Sequence, residues 1–288
     1  MARRASGGDP DRRPGRRTRR DALSPFTNLI EEIAERPGRW TALASIRTFD
    51  LRYGPRLQDA FRRGSAVDEF TAEEFTAVHH LSVPALDDHE LAQAGKALQP
   101  IAALLEAAPA ALRELVRNPF NLARLAELLE AGAPAAELRP LRTQLELLEV
   151  YWRRRLRSPQ AGVDARERVA RTLCERAVDA LALFAPRARL ATDAIADQAI
   201  AQLLSSGVLI ESQSPGGAET LAFSHHVLFD YALARLVLRV DETALATLLR
   251  DRPDLALIAR PSLTLHFQWC RPLARGTTNT TRQRSACS

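Results

Sequence analysis

The sequence is poor in the residues that mark several classes of protein. Its cysteines, Cys174, Cys270 and Cys287, lie far apart and form no C-x-x-C pair, so neither a zinc knuckle nor a disulfide framework is indicated. No apolar run approaches the roughly 20 residues that a membrane-spanning helix needs. We therefore expect a cytoplasmic protein without a metal site and without a membrane segment.

Lysine is also scarce, since Lys96 is the only one and almost all positive charge is arginine. Residues 1–20 contain eight arginines against Asp9 and Asp11, a net +6, so the rest of the chain carries 5 − 6 = −1 of the total charge of +5. An Arg-rich segment interleaved with Gly and Pro cannot bury a core, and we predict disorder over residues 1–24. This tail would attract nucleic acid only weakly and without regard to sequence.

The abundance of Ala and Leu, with only 6% aromatic residues, predicts a mainly α-helical fold. Residues 25–96 differ from the rest. Two short apolar runs, residues 40–46 and 78–83, have the pattern of buried strands, and a helical stretch around Leu57 lies between them. This alternation predicts part of a parallel α/β sheet.

The remainder of the chain shows helical spacing. Residues 97–158 carry apolar stripes at intervals of three and four and predict a compact helical bundle. Within residues 159–240, a long helix and a helix capped by Thr192 or Asp193 precede two strands that Ser214-Pro-Gly-Gly217 connects, so a winged helix with a β-hairpin wing is predicted. Residues 241–288 begin a further helical region with a frayed end.

Arg47 is the first candidate ligand-binding residue. It follows the predicted strand 40–46, and open α/β sheets bind ligands at the carboxyl ends of their strands. A guanidinium stays charged at any pH and offers several donors to a phosphate. The alternative is an ordinary ion pair with Asp50 or with another surface carboxylate.

Pro119 is the second candidate, within Asn118-Pro119-Phe120 between two helical stripes. A proline at this point sets a sharp start for the next helix, and its ring could pack flat on a purine base. The alternative is a proline that only begins a helix.

His225 is the third candidate, in Phe223-Ser-His225 directly after the second hairpin strand. Free backbone N–H groups and the helix dipole favour an anion at such a strand-to-helix junction, and an imidazole donor there could bind a phosphate. The alternative is a histidine bonded to a nearby carboxylate or carbonyl.

These motifs, in this order, resemble the NACHT and related STAND branch of the AAA+-like signalling ATPases. Phe223, His225, Asp230 and Tyr231 stand at the offsets of the family's winged-helix motif, with Asp in place of the more usual Glu. The resemblance implies that residues 25–96 are a partial α/β nucleotide domain and that residues 97–158 are its helical lid. It further implies that Arg47 is a sensor arginine, that Pro119 packs near adenine and that His225, rather than His226, contacts the ADP phosphates.

The sequence departs from the family because it contains no G-x-x-x-x-G-K-[ST] loop and no apolar strand that ends in paired acids. We expect a chain that starts in the middle of the nucleotide domain, binds ADP or ATP weakly or not at all, and has no ATPase activity of its own. The intact switch would signal through protein partners or self-association.

Two other functions are compatible with the sequence. The first is a DNA-binding regulator, although its recognition helix, residues 193–206, contains no Arg or Lys. The second is a helical scaffold that binds protein partners without responding to nucleotides.

Overall fold

Most of the chain that the structure describes is helical, which confirms the predicted mainly α fold. The structure is a computed structural model, and it forms two compact units, Met1–Pro84 and Ala85–Ser288, which are described separately below. Within them the structure describes residues 28–33, 35, 36, 38, 40–46, 51, 52, 54–62, 70–97, 99–158, 160–180, 182–214, 216–240, 242–252 and 259–270.

The first unit has a small core around one short helix. Residues 28–33 are helical, α1 spans Pro55–Ala60 with its proline in the first turn, and a 3₁₀ turn covers Glu73–Phe75. Prolines suit the first turn because the N–H that they lack would have no partner there. Among the described residues of this unit, the buried apolar side chains are Leu51, Leu57, Phe75 and Val78.

The prediction of a parallel α/β sheet in this unit is wrong for the described residues. Neither 40–46 nor 78–83 forms a strand. Leu43 is 95% exposed, as an apolar side chain is when no neighbouring strand or helix covers it. In residues 78–83, the His79 N–H donates to the carbonyl of Phe61, the residue that follows α1. This backbone group therefore bonds to a helix end and not to a neighbouring strand.

The second unit begins with a helical bundle, as the apolar stripes predict. Its helices up to residue 151 are α2 (Asp88–Ala97), α3 (Gln99–Glu106), α4 (Ala110–Val116), α5 (Pro119–Glu130), α6 (Ala135–Leu138) and α7 (Gln144–Tyr151). In α5 the leucines at positions 122, 125 and 128 face inward and are buried, because their spacing places them on one side of the helix. A π-helical turn, Trp152–Leu156, continues α7.

A helix and a three-stranded antiparallel sheet follow. The elements are α8 (Val163–Asp179), β1 (Phe184–Pro186), α9 (Ala194–Ser205), β2 (Leu209–Gln213), β3 (Glu219–Phe223), α10 (His226–Leu236), α11 (Glu242–Asp251) and α12 (Arg260–Cys270). The strand order is β1-β3-β2. The predicted hairpin is confirmed as β2 and β3, and Asp193 caps α9 by accepting from the Ala196 N–H at 2.7 Å.

The helices and the sheet of the second unit share one hydrophobic core. Its buried residues extend from Leu91 in α2 to Leu265 in α12. The predicted boundaries near residues 96, 158 and 240 remain predictions. Among the described residues, no helix has both the length and the apolar composition needed to cross a membrane.

Candidate functional site

Pro119 lies at the first position of α5, and the residue before it fixes this start. The Asn118 side-chain carbonyl accepts from the N–H of Phe120 at 2.9 Å and from the N–H of Asn121 at 3.4 Å. These bonds satisfy donors that have no partner inside the helix. The Asn118-Pro119 pair therefore sets the direction of α5 and the position of the Phe120 ring.

The start of α5 is tied to the neighbouring helices by a buried amide. Asn121 is 4% exposed, donates from Nδ2 to the Leu115 carbonyl at 2.9 Å, and accepts from Gln144 Nε2 at 2.9 Å. Because a buried polar group is costly to leave unpaired, these bonds hold the first turn of α5 in one place.

His225 is the N-cap of α10, directly after β3. Its Nδ1 accepts from the Val227 N–H at 3.2 Å. A neutral imidazole that accepts at Nδ1 carries its proton on Nε2, so the cap selects the tautomer in which Nε2 is a donor. The first turn of α10 also contributes the positive end of the helix dipole.

The structure brings the second and third candidate motifs together. The ring of Phe120 lies 4.2 Å from the ring of His225, with 31° between their planes. The ring of His226 lies 4.1 Å from His225 on the same stretch of chain. Pro119, the residue before Phe120, is exposed beside this contact. Arg47, the remaining candidate, lies outside the described residues.

An arginine and a tyrosine extend this contact away from the histidines. The Arg124 guanidinium carbon lies 5.5 Å from the Phe120 ring centre and 5.4 Å from that of Tyr151. Arg124 pairs with Glu127 at 2.5 Å, and the Tyr151 hydroxyl donates to Glu127 at 3.0 Å. Burial first, and then the Glu127 carboxylate, raise the pKa of Tyr151 above its usual range.

Asp230 and Tyr231, the last residues of the histidine motif, serve to attach α12. Asp230 is buried and accepts from Ser262 Oγ at 3.0 Å. The Tyr231 ring centre lies 5.4 Å from that of Trp152 and 5.8 Å from that of Trp269. These two residues therefore join α10 to α12, while His225 faces the start of α5.

Phe120, Arg124 and Tyr151 are site residues that the sequence alone did not single out. Phe120 adjoins a candidate proline, but its contact with His225 depends on how two distant segments pack. Arg124 and Tyr151 carry no sequence signal that distinguishes them from other bundle residues.

The surroundings of the Phe120–His225 contact combine apolar surface with a polar side chain. The ring of Phe120 and the exposed Pro119 offer apolar faces, and His225 supplies a donor at a helix start. Among the described residues, no group of three or more His, Cys, Asp or Glu side chains is placed to hold a metal ion. In comparisons with known proteins, no family model matches this chain, and no curated protein matches it.

Proposed function

We propose that this chain is part of an ADP- and ATP-dependent signalling switch of the STAND/NACHT type. The proposed nucleotide site lies between the start of α5 and the start of α10. The 4.2 Å contact between Phe120 and His225 carries the proposal, because it places together two motifs that are far apart in sequence. Their order along the chain is that of the family which the sequence resembles.

Each residue has a distinct proposed role. Pro119 and Phe120 supply the apolar surface against which a purine base packs. His225 donates from Nε2 to a phosphate oxygen, and the N–H groups at the start of α10 add to the favourable field. The capping bond to Val227 contributes indirectly, because it keeps the imidazole in the donor tautomer.

The order of elements after α7 supports a winged helix. Helix α8, strand β1, helix α9 and the β2–β3 hairpin follow one another, and β1 pairs with β3 to give the order β1-β3-β2. The bundle of α2 to α7 then takes the position of the lid in the proposed arrangement. His225 lies where the proposed wing ends and α10 begins. Its position therefore depends on how the α2–α7 bundle packs against the proposed winged helix.

The switch would work through the packing of α5 against the start of α10. Pro119 and His225 hold ADP and thereby keep the starts of α5 and α10 together. Exchange of ADP for ATP weakens this contact and frees the proposed winged helix for protein partners or self-association. The sequence has no phosphate-binding loop, so we expect no ATPase activity from this chain alone.

The structure offers little support for binding DNA through α9. This helix has no Arg or Lys, and Arg187 beside it is held by Glu211 at 2.7 Å and Asp197 at 3.0 Å. A cation that is already paired with two carboxylates gains little from a phosphate backbone.

Calorimetric titration with ADP tests the proposal. We expect weak binding by the natural chain and at least about a tenfold loss in His225→Ala, since a charge-assisted hydrogen bond is worth roughly 1.5–3 kcal/mol. His225→Ser should lose binding equally while keeping a helix cap. His226→Ala is the matched control and should bind as the natural chain does. Equal affinity of the natural chain and both His225 variants would overturn the proposal.

A further inference from the structure

Three side chains of the second unit each have a buried polar atom that lacks a hydrogen-bond partner in the described part of the chain. The atoms are Arg124 Nε, Arg155 Nε and Ser224 Oγ. Arg124 stacks beside Phe120, and Ser224 directly precedes His225. Buried donors are costly to leave unpaired, so these atoms are candidates for bonds to a ligand.

Arg155 is the one arginine of the π-helical turn that has no ion pair among the described residues. Its neighbours in the π-helical turn, Arg153 and Arg154, both bind Glu137, while Arg155 takes part in none of the ion pairs among the described residues. It is half-buried, and its positive charge acts on the buried hydroxyl of Tyr151. A guanidinium that has no counter-ion and whose Nε is buried without a partner favours the binding of an anion.

The end of the Arg155 side chain reaches the segment that leads to His225. Its Nη2 lies 3.6 Å from the position that a Cβ on Gly207 would occupy. The next residue, Val208, accepts from the Ser224 N–H at 3.0 Å, which places this loop against the residue before His225. Arg155 of the π-helical turn and Ser224, the residue before His225, therefore both adjoin the loop at Gly207 and Val208.

We propose that Arg155 and Ser224 bind the phosphate groups of the nucleotide, and this inference rests on the proposed function. Arg155 donates through its planar guanidinium and neutralises phosphate charge, and the Ser224 hydroxyl donates to the same group. Arg155 follows directly from the bundle helix α7, whereas Ser224 lies between β3 and α10. A phosphate between them therefore links the two parts of the second unit and makes their packing depend on the number of phosphates.

Paired titrations with ADP and adenosine test this assignment. Arg155→Gln is expected to bind ADP about tenfold or more weakly, because it loses a charged donor, and to bind adenosine as the natural chain does. Arg155→Lys should recover part of the affinity, since it keeps the charge but not the fork of donors. Arg153→Gln is the matched control from the same helical turn and should leave ADP affinity unchanged. Far-UV circular dichroism verifies that each variant is folded.

The outcomes separate this inference from the function on which it rests. If the natural chain and Arg155→Gln bind ADP equally, Arg155 does not contact phosphate and the inference is overturned, while the nucleotide site stands. If the natural chain binds no ADP, the proposed function fails. A thermal-shift assay with inorganic pyrophosphate then decides whether Arg155 belongs to an anion site. Stabilisation by pyrophosphate that Arg155→Gln abolishes then supports an anion site alone, and its absence overturns the inference too.

Discussion

Replacing Arg166 with alanine is expected to lower the free energy of unfolding of the second unit by about 3–5 kcal/mol. Arg166 is 2% exposed and lies in α8. Its Nε donates to the Leu156 carbonyl at 2.6 Å, and its Nη1 donates to the Ala161 carbonyl at 3.0 Å and to Gln202 Oε1 at 2.7 Å. Alanine would leave these three acceptors without this donor and would create a cavity.

The loss is measurable by thermal unfolding followed by circular dichroism. Because about 1 kcal/mol corresponds to roughly 2–4 °C for a unit of this size, the midpoint of Arg166→Ala should fall by about 10 °C. Arg168→Ala is the matched control, since Arg168 lies on the exposed side of the same helix and its loss should change stability by less than about 0.5 kcal/mol. Similar midpoints for the two variants would contradict the role of Arg166 as a buried tie between α8, α9 and the end of the π-helical turn.

Tyr231→Ala should also cost about 3–5 kcal/mol of stability, because a fully buried aromatic ring is removed. Tyr231 lies between Trp152 and Trp269, and its hydroxyl accepts from Arg235 Nη1 at 2.9 Å. The substitution removes the main aromatic contact between α10 and α12. We therefore expect hydrogen exchange in α12 to quicken more than exchange in α5.

Tyr231→Phe is the matched variant for this residue. It retains both ring contacts and loses only the hydroxyl, so its cost should be about 1–2 kcal/mol. If Tyr231→Ala and Tyr231→Phe had equal stability, the ring would contribute nothing and the proposed junction between α10 and α12 would be wrong. An unchanged rate of exchange in α12 would lead to the same conclusion.

Features that depend on a few adjacent residues could be predicted from the sequence. The hairpin follows from turn residues between two short apolar strands, and the start of α9 follows from the capping side chain of Asp193. Pro119 begins α5 for a similarly local reason, because its missing N–H needs no partner there. In such cases the determining interactions lie within one helical turn or one strand pair.

Features that depend on distant partners could not be predicted. Residues 40–46 have the composition of a buried strand, but burial requires a neighbouring strand, and none pairs with them among the described residues. Strand β1 is not among the predicted elements, because three residues that end in Pro186 carry little signal of their own. The contact of Phe120 with His225 and the approach of Arg155 to Gly207 likewise arise only from tertiary packing.

The most direct test of a nucleotide site between α5 and α10 is nuclear magnetic resonance of the chain with added ADP. Intermolecular Overhauser effects should connect the adenine protons to the Phe120 ring, and the Nε2 resonance of His225 should shift on addition of ADP. Phe120→Leu assigns the ring signals, because the corresponding cross-peaks must disappear in that variant. Adenine contacts to a different part of the chain, or no change at His225 at millimolar ADP, would contradict the proposed site.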